Sequence, residues 1–480
     1  MNEIERVKDL MTEAGSVDPT VGSGTLSPHL PPVDAAALAA VIRGLSRDSK
    51  LVVVSNREPV IHEARDDGVR EIRPASGMIT GIEPIVRAVS GTWVAHGSGS
   101  ADRRAVDTND RFTVSGGRSS YALRRVWLTR QEEQGYYYGV ANSALWPLCH
   151  IVYARPQFSR RQWETYRRVN EKFCAAVLEE IGSEDAIVFI QDYHLALLPR
   201  LLRQARPDLT IVMFWHIPWP NPEAFRIMPW GEELLDGLLG SDLLGFHIQY
   251  HCNNFVDTVD HRVEARIDRE LFSVFRGGTP TYVRPFPISV DFEQVSDDAV
   301  SVPVRHRVEE ILAAIEHDGR QQLLVGVDRL DYTKGIIERL RAVDRLLLEY
   351  PELRGRVTLL QLAAPSRTHV EAYRRLGQEM DALVDDINWR HQDDTWQPIR
   401  LLRGHHDYTT VMAAYQVARV LLVTSLHDGM NLVAKEFVAA RRDEDGVLLL
   451  SKYTGAAREL ADAVQVNPFD IDAMTQALYG

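Results

Sequence analysis

Residues 322–335 read QLLVGVDRLDYTKG, an apolar run of strand length that ends in charged residues and a glycine. The run is continuously apolar rather than alternating, which is typical of a strand buried on both faces of a parallel sheet. An amphipathic, helix-like stretch at 335–350 follows directly. The segment therefore predicts a strand–turn–helix unit of an α/β fold, with Arg329 and Lys334 at the turn.

The same kind of unit recurs along the chain. Further strands are predicted at LVVVSN (51–56), IVFIQD (187–192), IVMFWHI (211–217), LLGFHI (243–248), VTLLQLA (357–363), RVLLVTS (419–425) and GVLLLSK (446–452). Helices are predicted at 161–181, 335–350 and 370–384 between these runs. The series runs twice, over about 49–295 and 320–465, and the charged helical stretch VRHRVEEILAAIEHDGR (304–320) is predicted to connect the two.

This repetition predicts an α/β protein of two Rossmann-like, doubly wound domains that face a cleft. A chain of 480 residues exceeds the size at which one core stops growing, which also favours two domains. We expect an N-terminal extension at 1–48, a first domain at 49–300 and a second at 301–480. Ligands of such sheets bind at the carboxyl ends of the strands, so functional residues should follow strands directly.

Composition narrows the class of protein. The formal net charge of −13 argues against a nucleic-acid partner, which requires a basic surface. No apolar run is long enough to cross a membrane, and the acidic N-terminus lacks the form of a signal peptide, so a cytoplasmic location is expected. Cys149, Cys174 and Cys252 are too far apart for a zinc or redox motif and are expected to be reduced thiols. A homo-oligomer is compatible with all of this.

The turn after the 322–328 strand carries two cations. Arg329 and Lys334 lie beside the expected N-terminus of a helix, where backbone N–H groups and the helix dipole favour anions. Together they suit a pyrophosphate. The alternative, that both are solvated surface charges, remains open for an Arg-x4-Lys pattern on its own.

A second polar cluster follows the 419–425 strand, in the segment LHDGMNLVAKE (426–436). Asn431 is expected to begin a helix, which leaves the N–H groups of Leu432 and Val433 as free donors facing the cleft. Glu436 lies on the same helix face, one turn further on, where a carboxylate can bind ribose hydroxyls. The alternative is a capped helix with an exposed glutamate.

The first domain shows the same arrangement at its strand ends. Arg57 follows the first strand, and Gly77 lies in a glycine-containing loop, 74–81, before a helix. Asp192 and His216 end two later strands, where they are able to accept from a sugar hydroxyl or donate to a developing charge. A lone residue of either type is more often structural, but four polar strand ends in one cleft favour a site.

Seven motifs, in order, resemble the trehalose-6-phosphate synthase family of retaining glycosyltransferases. They are VSNR (54–57), NSALWP (142–147), DYHL (192–195), HIPWP (216–220), DRLDYTKG (328–335), APSR (364–367) and DGMNLVAKE (428–436). The resemblance covers about residues 50–470. It implies the B-type glycosyltransferase fold, without a metal or other cofactor, and small-molecule substrates: a nucleotide-diphosphate glucose and glucose 6-phosphate.

The resemblance also implies residue roles. The donor-binding residues would be Gly77, Arg329, Lys334, Asp428, Gly429, Met430, Asn431, Leu432, Val433 and Glu436. The acceptor-binding residues would be Arg57, Tyr137, Trp146, Asp192 and Arg367. The residues closest to the chemistry would be Asp192, His216, Arg329 and Lys334.

The implied reaction moves glucose, with retention of configuration, from UDP-glucose to glucose 6-phosphate and yields trehalose 6-phosphate. The departing phosphate oxygen takes the proton of the attacking hydroxyl, so no protein nucleophile is required. UDP, GDP and ADP all remain open as donor nucleotides, because base contacts of this fold are expected from backbone groups.

Three features depart from the family pattern. Ser76 stands where many relatives have a first glycine, His427 stands where Arg is usual, and the helices that cross back to the first domain in relatives have no counterpart before Gly480. Two alternatives therefore stay open: a glucosylglycerol-phosphate synthase and a noncatalytic sugar-phosphate-sensing subunit. Arg367 and His194 favour a phosphosugar acceptor. A nicotinamide dehydrogenase is disfavoured, because no G-x-G-x-x-G follows the first strand.

Overall fold

The structure is a computed structural model that describes residues 40, 44, 49–74, 77–116, 119–317 and 319–480. The predicted N-terminal extension therefore lies outside the described residues, apart from Ala40 and Gly44, and so does Ser76 of the glycine loop. The remaining predictions fall on described residues.

The first half of the chain contains twelve strands among the described residues. These are β1 (Lys50–Ser55), β2 (Ile61–Arg65), β3 (Gly68–Ile72), β4 (Thr92–His96), β5 (Arg111–Gly116), β6 (Ser119–Val126), β7 (Ala186–Gln191), β8 (Thr210–Phe214), β9 (Leu243–Phe246), β10 (Arg266–Asp268), β11 (Ser273–Arg276) and β12 (Thr279–Pro285). The helices between them are α1 (Gly77–Ala88), α2 (Asp102–Ala105), α3 (Arg130–Glu133), a π-helix (Gln134–Leu145), α4 (Trp146–His150), α5 (Arg160–Ile181), α6 (Leu198–Ala205), α7 (Pro222–Phe225), α8 (Gly231–Leu238) and α9 (Gln249–Arg262).

The second half contains six strands among the described residues. These are β13 (Gln322–Arg329), β14 (Val357–Ala364), β15 (Ile399–Arg403), β16 (Val420–Val423), β17 (Val447–Ser451) and β18 (Val464–Val466). The helices are α10 (Phe292–Ala299), α11 (Val302–Ala314), α12 (Ile336–Glu349), α13 (Glu371–His391), α14 (Tyr408–Val417), α15 (Leu432–Ala440) and α16 (Ile471–Tyr479). Single 3₁₀ turns lie at Tyr193–Leu195, Tyr332–Lys334, Pro351–Leu353 and Gly455–Arg458.

The first sheet has ten strands in the order β10-β11-β12-β9-β8-β7-β1-β4-β6-β5. The seven strands from β12 to β6 pair in parallel, and antiparallel strands close both edges. β1 is the first strand of this sheet along the chain, with β4 and β6 on one side of it and β7, β8 and β9 on the other. A switch point therefore lies between β1 and β7, which is where open α/β sheets bind ligands.

The second sheet has six parallel strands in the order β15-β14-β13-β16-β17-β18. Its switch point lies between β13 and β16, which pair through Leu324–Val420 and Val325–Leu421. The central strands are buried on both faces, as their continuously apolar sequence predicts. The doubly wound α/β fold predicted from the sequence is confirmed for both halves.

Two local predictions differ from the structure. The strand predicted at 211–217 ends at Phe214, because the N–H of His216 donates to the Asp192 carboxylate, 3.1 Å away, instead of continuing the sheet. The helical stretch at 304–320 begins earlier, as α11, and is more than a connector, because Val304 and Ile311 pack in the core of the second sheet. No helix among the described residues is long and apolar enough to cross a membrane.

Candidate active site

Asp192 follows β7 at the first switch point and is held in an unusual backbone conformation. Its φ is 71°, in a region that residues other than glycine and asparagine rarely adopt. The carboxylate accepts hydrogen bonds from the N–H groups of Tyr193 (2.9 Å) and His216 (3.1 Å), which stabilise this turn. Burial raises the pKa of Asp192 to about 6, although both N–H bonds oppose the shift. Strain maintained at a strand end is common at ligand sites.

Tyr137 and Trp146 belong to one continuous helical segment, α3–π-helix–α4, whose buried residues pack in the core of the first sheet. A π-helix is rare and often occurs at functional sites. Asn142 donates to the carbonyl of Tyr137 (2.7 Å) and accepts from the Tyr193 hydroxyl (3.1 Å), so the amide of the NSALWP motif ties this segment to the DYHL motif. The ring of Tyr137 stacks on His194, with centroids 5.6 Å apart.

Arg367 comes from the loop after β14 and reaches the first domain. Its guanidinium lies 3.9 Å from the ring centroid of Trp146 and donates to the Tyr193 hydroxyl at 3.3 Å. On its other side it donates to Asp331 (3.2 Å) and to the Tyr373 hydroxyl. The φ of 46° again marks a strained position. The structure therefore brings the predicted acceptor residues of both domains together.

The positive charges of Arg57 and Arg329 both act on Tyr137. Burial opposes ionisation of Tyr137, but the nearby cations Arg367 and Arg57 outweigh it and lower its pKa. Burial, followed by the charge of Arg367, lowers the pKa of Arg329. Arg329 also lies 5.9 Å from the ring of Trp146. Two guanidinium groups thus lie beside one tryptophan, and the charge of a third, Arg57, acts on the neighbouring Tyr137, which is an arrangement suited to phosphate.

Lys334 follows β13, as predicted, but it is not a free cation. Its Nζ lies 2.6 Å from the Asp428 carboxylate, and both side chains are 16% exposed. Asn431 donates to the same carboxylate at 3.1 Å. At the N-terminus of α12, Gly335 packs against the Thr424 carbonyl too closely for a side chain.

The open helix N-terminus is that of α15. Asn431 adopts a φ of 79° and its side chain caps the N–H of Ala434 at 3.1 Å. Among the described residues the N–H groups of Leu432 and Val433 have no hydrogen-bond partner. Gly77 from the first domain lies directly against the Leu432 side chain. The glycine loop and α15 therefore meet, as the prediction of a shared donor site requires.

Of the other residues in segment 428–436, some pack in the interior and others make polar contacts. Gly429 packs against the carbonyl of His216 with no room for a side chain, and Met430 is buried in the core of the second sheet. Glu436 accepts from the Tyr415 hydroxyl at 2.9 Å, and burial raises its pKa. Thus Glu436 has a defined orientation, whereas Met430 faces the protein interior.

His216 lies at the contact between the two domains. Its Nε2 is 2.9 Å from Oε1 of Gln191, and burial lowers its pKa well below the ordinary value. The ring is therefore neutral at pH 7. His427, the departure from the usual Arg, has its Nδ1 2.8 Å from the carbonyl of His150. It therefore makes a contact across the domains.

Sequence reasoning missed several residues that support the site. Asp331 is fully buried and binds Arg367 and Tyr373, and Tyr193 bridges Arg367 and Asn142. Asp331 lies in the motif DRLDYTKG and Tyr193 in the motif DYHL, so the motifs themselves could have pointed to both residues. Tyr373 and Tyr415 lie in the helices α13 and α14, outside the quoted motifs. No group of three or more His, Cys, Asp or Glu side chains suited to a metal occurs in the described part of the chain.

Two doubly wound sheets with both switch points on one cleft, lined by guanidinium groups and an open helix N-terminus, define a B-type glycosyltransferase. Residues 49–480 match the model of glycosyltransferase family 20. The chain belongs to this family and is a hexosyltransferase.

Individual relatives agree with this assignment. The trehalose-6-phosphate synthase of Mycolicibacterium smegmatis is 38% identical over 438 residues, which is 90% of this chain and 85% of the relative. A solved trehalose-6-phosphate structure from E. coli, bound with UDP-2-fluoro glucose, has a TM-score of 0.79 at 33% identity and covers 90% of each chain. A Burkholderia xenovorans alpha,alpha-trehalose-phosphate synthase (UDP-forming) in complex with glucose-6-phosphate has a TM-score of 0.79 at 31% identity and covers 90% of this chain and 92% of that one.

Proposed function

We propose that this chain transfers glucose from UDP-glucose to glucose 6-phosphate, with retention, and so forms trehalose 6-phosphate. The single observation that carries the proposal is Arg367, which reaches from the second domain to stack on Trp146 and whose charge acts, with that of Arg57, on Tyr137. A phosphate placed there contacts both domains. The names of the M. smegmatis relative and of the B. xenovorans neighbour with its bound sugar phosphate support the same acceptor.

The acceptor site, in this proposal, consists of Arg57, Tyr137, Trp146, Asp192 and Arg367. The two guanidinium groups bind the phosphate, because a planar fork matches its oxygens. Asp192, above its pKa of about 6, accepts from the sugar hydroxyls.

The donor site lies on the other side of His216. The free N–H groups of Leu432 and Val433 and the cations Arg329 and Lys334 face the diphosphate, and Gly77 covers it from the first domain. Glu436 binds the ribose hydroxyls. The structure holds Lys334 on Asp428, so the diphosphate has to replace that carboxylate as its partner.

The reaction follows from this placement. The acceptor hydroxyl attacks the anomeric carbon from the side of the leaving group, and the departing phosphate oxygen takes its proton. The glycosidic C–O bond forms as the bond to the diphosphate breaks, and UDP leaves with the added proton. The protein contributes orientation of both substrates and cationic charge on the leaving diphosphate, and Arg329 and Lys334 fill the role that a metal has in other transferases.

Three further assignments belong to this proposal. The domains are taken to divide near residue 300, between the last strand of the first sheet and α11. The buried, unpaired thiols of Cys149, Cys174 and Cys252 fit a cytoplasmic enzyme. The substrates are small molecules, and neither a nucleic acid nor a membrane is required.

The test is to incubate the protein with UDP-glucose and glucose 6-phosphate and to measure both UDP release and the disaccharide phosphate. We expect both products in equal amounts. Glycerol 3-phosphate is the parallel acceptor, and a preference for it would replace the assignment by a glucosylglycerol-phosphate synthase. Substrate binding without turnover, for UDP-, ADP- and GDP-glucose alike, would contradict a catalytic role and support a sensing subunit.

A further inference from the structure

A buried ionic cluster lies beside the turn between β1 and β2. Arg125 of β6 is 1% exposed and donates from Nε to Glu58 (2.8 Å), and its Nη2 lies 2.9 Å from Asp102. Nη2 also lies 2.8 Å from Nδ1 of His62. Glu58 and Asp102 are 1% and 0% exposed. Two carboxyl groups thus share one guanidinium in the interior, which is a costly arrangement unless every polar atom is satisfied.

Glu58 is the member that anchors the turn. One carboxyl oxygen accepts from both the N–H (2.8 Å) and the hydroxyl (3.0 Å) of Ser98, and the other accepts from Arg125. On the preceding residues, the Ser55 hydroxyl donates to the carbonyl of Arg57 at 2.5 Å, and Trp93 donates to that hydroxyl at 2.8 Å. The backbone of 55–58 is therefore held from both ends.

Arg57 itself has no such support. It is exposed, and its guanidinium forms no ion pair or hydrogen bond with the described residues. Its charge acts on Tyr137 and Asp192, so where that charge lies depends on the backbone at its own position. That backbone is the turn that Glu58 anchors.

We propose that Glu58 is a positioning residue for the acceptor: held by Arg125 and Ser98, it directs the Arg57 side chain at the acceptor phosphate without touching the substrate. The inference rests on the proposed function, because it assigns the phosphate to Arg57. It deepens that assignment, since no substrate-contacting role falls on Glu58, Asp102 or Arg125.

The protonation of Glu58 adds a second consequence. Burial, followed by the hydrogen bond with Asp102, raises the pKa of Glu58 to about 8. The groups that face it are Asp102 and Arg125, with His62 beside both and the Ser98 N–H opposite. Above pH 8 Glu58 ionises although burial and the neighbouring Asp102 disfavour its charged form, and this cost destabilises the turn. The affinity for the acceptor phosphate should then fall.

The experiment compares Glu58→Ala and Glu58→Gln with the wild type and with Glu180→Ala. Glu180 is a matched control, because it is a buried carboxylate of the same domain, 4% exposed and 2.8 Å from Arg111. We expect Glu58→Ala to raise KM for glucose 6-phosphate about tenfold, as loss of one well-placed charged contact does. Its kcat and its KM for UDP-glucose should stay within about twofold of wild type. Glu58→Gln keeps an oxygen that accepts from Ser98 but loses the acceptor for Arg125, so it should bring KM at pH 7 closer to the wild-type value than Glu58→Ala does.

The pH profile tests the same idea if Glu58→Ala does not fold. KM for glucose 6-phosphate should rise above pH 8 in the wild type and stay level in Glu58→Gln. An unchanged acceptor KM in Glu58→Ala, an equal change in both KM values, or an identical pH profile in Glu58→Gln would overturn the inference. Failure of the proposed function is distinct from these outcomes, because the wild type would then release no UDP with any acceptor.

Discussion

The Arg367→Lys substitution tests the arrangement on which the acceptor site depends. The side chain is 5% exposed, stacks 3.9 Å from the Trp146 ring and donates to both Asp331 and Tyr193. Lysine keeps the charge and leaves Asp331 with a partner, so the fold should survive. A single ammonium cannot stack on the ring, bind Asp331 and grip a phosphate at once.

The expected loss is the sum of two contributions. Stacking of a desolvated cation on tryptophan contributes about 1–2 kcal/mol. One hydrogen bond to a charged phosphate contributes about 1.5–3 kcal/mol. A loss of about 3 kcal/mol in total lowers kcat/KM for glucose 6-phosphate by roughly 10²-fold.

The assay measures UDP release with glucose 6-phosphate and with unphosphorylated glucose. Because the lost contacts serve the phosphate, we expect the roughly 10²-fold drop only with glucose 6-phosphate. Arg375→Lys is the matched control, since Arg375 lies on α13 and is 76% exposed. An equal loss with both acceptors, at wild-type thermal stability, would refute the reasoning, because the arginine would then serve the architecture of the site rather than the phosphate.

Three further predictions concern the acid–base and donor residues. Wild-type kcat/KM should fall below about pH 6, because burial raises the pKa of Asp192 to about 6 and only the ionised carboxyl has both oxygens ready to accept from sugar hydroxyls. Asp192→Asn should abolish this fall of kcat/KM at acid pH, and a fall that persists in the variant would contradict the assignment. Tyr415→Phe removes the 2.9 Å bond that orients Glu436 and should raise KM for UDP-glucose about tenfold with kcat nearly unchanged, whereas a change confined to the acceptor KM would exclude this role. Asp428→Asn leaves the Lys334 cation unpaired and should cost about 3 kcal/mol of unfolding free energy. UDP-glucose should then raise Tm more than in the wild type, because its diphosphate supplies the missing partner of Lys334. An equal rise in both proteins would argue that the diphosphate does not replace Asp428 as the partner of Lys334.

Much of the fold could be predicted because short stretches of the sequence are enough to indicate the elements they form. The strand β13 and the helix α12 follow from an apolar run and an amphipathic stretch that need no knowledge of the partners. The antiparallel edge strands were missed. Strands β5 and β10, at the sheet edges, are short and largely polar, so their pairing depends on the neighbours and not on their own pattern.

The site was predicted in part. The resemblance and the strand ends placed Arg329, Lys334 and Arg367 near a cleft. Neither could foresee that Lys334 is already paired with Asp428, because these residues lie 94 positions apart in sequence. The close approach of the Thr424 carbonyl to Gly335 was missed for the same reason, since that carbonyl follows a different strand.

By itself, then, the sequence determined eight strands at the centre of the two sheets, the class of fold and the residues that follow those strands. Hydrophobic periodicity and turn-forming residues act over a few neighbouring positions, so they can be recognised without knowing the rest of the fold. Only the tertiary structure decided which ends of the two sheets meet, that Arg367 stacks on a tryptophan of the other domain, and that Glu58 is enclosed with Arg125 and Asp102. Distances and burial between segments far apart in the chain arise from packing, and packing sets both the charge state and the direction of these side chains.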